Sequence, residues 1–234
     1  MPSSRDERAF SPTPSNRPGT DSPLRLAELL VGTLSHDIAG PLGMIESLLE
    51  MVCEDRNASP NALAIALDAA AVLSNRLKLL RAAWGGGSGA LDPSGLRALA
   101  AGLPGRDVRL DLSGLAGSGT IAPAPARVLV NLLVLADEAL AGHGVIALAG
   151  DPAREIVVTI EGPRAAWPAG FAAMLVDPEA AWRGVTTAGG AGGRPPLGAV
   201  TALVARDSGL RLSMLLATPG PANAPLLLRC VPDA

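Results

Sequence analysis

The chain has 234 residues, a net charge of -3 and 48% hydrophobic residues. It is long enough to bury a real core in one large domain or two small ones, and too apolar for a wholly disordered chain. Its charge gives no basis for a nucleic-acid surface. Lysine occurs once, at Lys78, and tyrosine never, a bias toward Ala, Gly, Pro and Arg from which no function is read.

Residues 1–22 are polar and proline-rich, without the apolar stretch of a signal peptide, and read as a disordered tail. No uninterrupted apolar run approaches the ~18 residues of a membrane span. Cys53 and Cys230 sit in apolar segments, as structural thiols of a reducing compartment do. These features predict a soluble cytoplasmic protein.

Two long helices are predicted, over roughly 23–54 and 61–84. The polar "DRNASPN" between them offers Ser59 or Asn61 as N-cap and Pro60 for the first turn. So short a connection makes an antiparallel hairpin. "GGGSG", Gly85 to Gly89, reads as a flexible joint. The expected division is 1–22 tail, 23–87 hairpin and linker, and 88–234 an α/β unit.

From there helices and strands mix. "DPSGLRALAAGL" predicts a helix and "DVRLDLSG" a strand. "APARVLVNLLVLADEALAG" is a strongly apolar helix closed by Gly142. "GVIALAG" and "EIVVTIEG" read as hairpin-linked strands, with His143 in the turn before them. "PAGFAAMLVDPEAAW" holds one or two short helices. "PPLGAVTALVARDSG" has Pro at its start and Gly at its end, the asymmetry of a helix. "LRLSMLLAT" and "APLLLRCVP" complete the set as strands. The mixture predicts an α+β chain with helices packed on one face of a sheet.

The informative stretch is "LSHDIAGPLG", Leu34 to Gly43. On a helical wheel Leu34, Ile38, Pro41, Ile45 and Val52 lie opposite His36, and Ala27, Leu30, Leu42, Leu48 and Leu49 widen that apolar face. Around His36 lie Gly32, Thr33, Ala39, Gly40, Gly43 and Ser47. Each glycine costs a helix interior about 1 kcal/mol against alanine. Three on one face, beside an outward histidine, give a partner room to approach. Counting from a turn near residue 58 puts His36 level with about residue 80, so Lys78 and Arg81 become candidates to neutralise an anionic group on His36.

"LSHDIAGPL" resembles the H-box of the histidine-kinase dimerisation and phosphotransfer domain, position for position from Leu34 to Leu42. The resemblance implies that His36 carries a phosphoryl group, that Asp37 orients or activates it, and that the hairpin dimerises into a four-helix bundle. It also implies that the later half is an α/β sandwich like the kinase ATP-binding (Bergerat) domain.

The nucleotide boxes of that domain depart from the pattern. "NLLVLADEAL" resembles the N-box, with Asn131 at its first asparagine, but Leu135 replaces the second, and an apolar side chain cannot serve Mg²⁺. The adenine-reading Asp-x-Gly-x-Gly is absent after "EIVVTIEG". "AGGAGGRPPLG" places Arg194, Pro195 and Pro196 where a phosphate loop would enter its helix.

An intact H-box with degenerate nucleotide boxes resembles the ChpT-type histidine phosphotransferases. These are dimers that relay phosphoryl groups between receiver-domain aspartates without a cofactor of their own, the receiver supplying Mg²⁺. The expected partners are therefore receiver domains and a second copy of the chain, with no nucleic acid and no membrane. Gly40 stands where kinases often carry Thr, Asn or Ser, which favours plain relay over phosphatase activity. A divergent kinase and a non-catalytic dimeric scaffold are the alternatives. Zinc spacing, a Gly-x-x-x-x-Gly-Lys loop and a Gly-x-Ser-x-Gly nucleophile are all missing.

Overall fold

The computed structural model describes residues 23–54, 60–86, 89–105, 107–116, 120–187, 196–215 and 224–230. The tail 1–22, the turn 55–59 and the Gly-rich stretch 188–195 lie outside the described residues.

Helices α1 (Pro23–Glu54) and α2 (Pro60–Trp84) form the hairpin. Pro60 opens α2, which leaves Asn61 inside the first turn rather than at the cap. Along α1, Leu34, Ile38, Pro41, Ile45, Leu48 and Val52 are among the half-buried positions and lie on the face expected to look away from His36. Along α2 the inward positions are Ala62, Ala66, Ala69, Leu73, Arg76, Leu80 and Ala83, spaced alternately three and four apart. Alanines at the start of this stripe let the two helices approach closely.

α1 runs unbroken through Pro41. A proline disfavours the helical conformation of the residue before it, through contact of its ring with that residue's Cβ. Gly40 has no Cβ, so the strain is relieved locally.

The second unit begins with α3 (Pro93–Ala100), capped by Asp92, whose carboxylate accepts from the Gly95 amide at 2.6 Å. β1 (Asp107–Leu115), α4 (Pro123–Ala139) and β2 (His143–Asp151) follow; β1 pairs parallel with β2, and α4 makes the crossover. β3 (Glu155–Glu161) returns antiparallel to β2. Then come α5 (Phe171–Val176), α6 (Pro178–Thr187), α7 (Leu197–Asp207), β4 (Leu212–Met214) and β5 (Leu226–Arg229). The sheet order is β1-β2-β3-β5-β4.

Alternate residues of β3 (Ile156, Val158, Ile160) and Ile146, Leu148, Leu226 and Leu228 are buried on one face. α4 is apolar nearly all round and lies in the middle of the core, against the sheet on one side and α2, α3 and α7 on the other. The chain is thus α+β, a helical hairpin followed by a helix-covered five-stranded sheet.

Leu79, Ala82 and Ala83 of α2 belong to the same hydrophobic cluster as α4 and the sheet. A second, smaller cluster joins Leu26 and Leu29 of α1 to Met174, Trp182, Val185 and Ala199. The glycine segment expected as a free joint therefore links units that share one core.

Candidate functional site

His36 projects from the middle of α1 with 86% of its side chain exposed. Its Nδ1 lies 3.8 Å from Oδ1 of Asp37, beyond hydrogen-bond length. Apart from its chain neighbours and the helix's own backbone, a Cβ placed on Gly32, Gly40 or Gly43 would meet nothing within 4 Å. The space expected around the imidazole is there.

Asp37 turns inward. Its Oδ2 accepts from Arg76 Nη2 at 2.7 Å and Arg76 Nε at 3.1 Å. The cation that meets the Asp37 carboxylate is Arg76; Lys78 and Arg81, the candidates to neutralise an anionic group on His36, are both exposed. The level of His36 on α2 falls about one helical turn short of residue 80, because the hairpin register is set by the packed stripes and not by the midpoint of the loop. Sequence reasoning passed over Arg76, yet a signal was present. It is the charged residue in a stripe otherwise made of Ala and Leu, and a charge on an inward face requires a partner.

Beside His36 opens a cavity of about 370 Å³ between the hairpin and the second unit. Thr33, His36, Asp37, Gly40 and Pro41 line it from α1, and Val72, Leu73, Arg76 and Trp84 from α2. Its far wall comprises the 101–104 turn, Val134, Asp137 and Glu138 of α4, and Leu197. Of the expected site residues, the cavity brings together His36, Asp37 and Gly40. Gly32, Gly43 and Ser47 lie on α1 outside its lining, as do Lys78 and Arg81 on α2.

Asp137 is buried and accepts from the Gly105 amide at 3.1 Å. Burial pushes its carboxyl above the ordinary value of 3.8, against the opposing pull of that amide and of the Arg76 charge. Arg76 Nη1 and Trp84 Nε1 are buried without a hydrogen-bond partner among the described residues.

The N-box-like residues have structural employment. The Asn131 side chain is 3% exposed, and its Nδ2 donates to the Ala83 carbonyl at 2.9 Å and the Arg127 carbonyl at 3.0 Å. It ties α4 to the end of α2. Leu135 is wholly buried in the core. Leu135, where the second asparagine of the N-box would stand, has no oxygen to offer a metal, while the Asn131 amide nitrogen is shared by two carbonyls.

Other expectations are corrected by the coordinates. His143 opens β2 rather than sitting in a turn, and its Nδ1 pairs with Asp107 Oδ2 at 3.0 Å on the neighbouring strand. Cys53 is exposed on α1, not a buried structural thiol. Cys230 is half-buried, and burial, with Asp151 and Glu155 nearby, pushes its thiol up to about 11. No cluster of three or more His, Cys, Asp or Glu that could hold a metal occurs among the described residues. None of the described helices is long and apolar enough to cross a membrane.

No family model matches the chain, and no curated protein matches it. Among solved structures, a bacterial phosphotransferase aligns with a TM-score of 0.61 at 21% identity, over 89% of this chain and 97% of that one. A histidine kinase domain from a blue-light-activated kinase of Erythrobacter litoralis aligns at TM-score 0.35 and 15% identity, over 88% of this chain and 94% of that one. A histidine kinase from Burkholderia phymatum aligns at TM-score 0.31 and 17% identity, over 88% and 92%. The chain shares its fold with the bacterial phosphotransferase over nearly its whole length.

Proposed function

We propose that the chain is a phosphorelay histidine phosphotransferase of the ChpT type, working in the cytoplasm as a homodimer. His36 takes a phosphoryl group from the aspartate of one receiver domain and passes it to the aspartate of another. The observation that carries this reading is an imidazole 86% exposed on a helix face cleared of side chains, with a carboxylate oxygen 3.8 Å from its Nδ1.

Asp37 Oδ1 lies on the Nδ1 side of the imidazole; in the tautomer with its proton on Nδ1, the Nε2 lone pair is the nucleophile. Nε2 attacks the phosphorus of the receiver's aspartyl phosphate. A nitrogen–phosphorus bond forms, the phosphorus–oxygen bond to the aspartate breaks, and the carboxylate leaves as an anion. Transfer onward is the reverse step toward a second aspartate. The receiver brings Mg²⁺ and the acidic pocket, so this chain supplies a placed nucleophile and room around it.

Two further features support the reading. Asn131 and Leu135 are engaged in packing, which argues against a divergent kinase. Leu42 and Leu49 of α1, and Leu63 and Leu67 of α2, are exposed apolar side chains spaced one or two turns apart. A second hairpin would cover them in a four-helix bundle.

Two labelling experiments separate the alternatives. Phosphorylated receiver should label wild-type chain and not His36→Ala, whereas labelled ATP with Mg²⁺ should label neither. Label from ATP would revive the kinase reading, and label from neither source would leave the scaffold.

A further inference from the structure

We infer that Arg76 is a positioning residue for His36, acting through the carboxylate of Asp37; this rests on the reading of His36 as the nucleophile. Two donors of one guanidinium, Nε and Nη2, converge on a single oxygen, Oδ2 of Asp37. The pair is largely out of solvent, with 16% of the Arg76 side chain and 23% of the Asp37 side chain exposed. An aspartate has two rotatable bonds. Anchored at Oδ2, it keeps Oδ1 turned toward His36 Nδ1; released, it is free to swing to water.

Arg76 belongs to α2, so the orientation of the nucleophile depends on the opposite helix of the hairpin. The planar fork of arginine makes the two-point hold possible, whereas a lysine ammonium is a single point. Arg76 and Asp137 of α4 line the same cavity.

Phosphoramidate is a suitable donor for the test because it needs no receiver. In that reaction His36 displaces ammonia, forming the same nitrogen–phosphorus bond. Labelling rates are measured on the full chain for wild type, Asp37→Asn, Arg76→Met, Arg76→Lys and the double variant Arg76→Met/Asp37→Asn, with folding checked by circular dichroism. Arg76→Met should slow labelling on the order of 10- to 100-fold, the scale of a misplaced reacting group. Arg76→Lys should recover part of the loss.

The double variant should be no slower than Asp37→Asn within about twofold, since an effect routed through Asp37 vanishes with its carboxylate. Multiplicative losses in the double variant would mean that Arg76 acts directly on the phosphoryl group, and would overturn the inference. So would wild-type labelling by Arg76→Met, or no labelling of wild-type His36 at all. Should Arg76→Met fail to fold, Arg76→Lys is carried through the same cycle with Asp37→Asn. Receivers that fail to donate, beside an intact cycle with phosphoramidate, would sink the relay and leave the positioning role standing.

Discussion

Gly43→Leu separates two reasons for a glycine in α1. A Cβ at Gly43 would meet nothing within 4 Å, so a side chain there projects into open space on the His36 face. Replacing glycine by a good helix former in such a position should stabilise the chain by about 0.8–1 kcal/mol. In a chain of this size that raises the melting temperature by ~2–4 °C. Gly40 is a poorer probe, because a Cβ there would crowd the Pro41 ring and take back part of the gain.

Transfer should move the other way. In-line attack needs the reacting atoms ~3–3.5 Å apart, and ~1 Å of displacement costs ~100-fold. A leucine two turns along from His36 on the same face would hold a docked receiver off by more than that. The assay pairs thermal melts with single-turnover transfer from phosphorylated receiver. A variant that is more stable yet transfers at the wild-type rate would refute the idea that the glycines exist for access.

Other outcomes follow from the same coordinates. Asp137→Asn should raise stability at neutral pH, since the amide oxygen can still accept from Gly105 while the buried charge is gone. The wild-type carboxyl is raised in the fold, so its stability is fully present below 3.8 and is lost as pH rises through the raised value. The advantage of the variant should therefore vanish in melts near pH 3.5. Asn131→Leu should cost about 1–3 kcal/mol by leaving the Ala83 carbonyl unpaired, yet the folded variant should keep its transfer rate; a loss of transfer at full stability would give Asn131 a chemical role. Leu42→Glu with Leu49→Glu should yield a monomer by light scattering at micromolar concentration, and a surviving dimer would move the interface elsewhere.

What could be read from the sequence was what is local. The H-box, the outward histidine and its glycines lie within about three turns of one helix, where a 100° step fixes every direction. The α5–α6 stretch was legible as one or two short helices, and the structure divides it at Asp177, which caps α6 by accepting from the Glu179 and Ala180 amides. Arg76 was hidden because its contact spans 39 positions and depends on the register of two packed helices. A count outward from the loop midpoint gives only the approximate level on α2, near residue 80, and not which side chain turns inward. Asn131 was legible as an N-box position but not as a clamp, because its acceptor belongs to the end of α2. The insertion of β5 between β3 and β4 is likewise non-local, set by which strand edges remain after the hairpins form.

The central claim is that His36 accepts a phosphoryl group from a receiver aspartate. The most direct measurement incubates the full chain with Mg²⁺ and a panel of receiver domains phosphorylated at their aspartates, and then follows the phosphoryl group by its acid lability and by peptide mapping. The account predicts label on the peptide containing His36, lost in His36→Ala. No label from any receiver of the panel, or label that persists in His36→Ala, would contradict it.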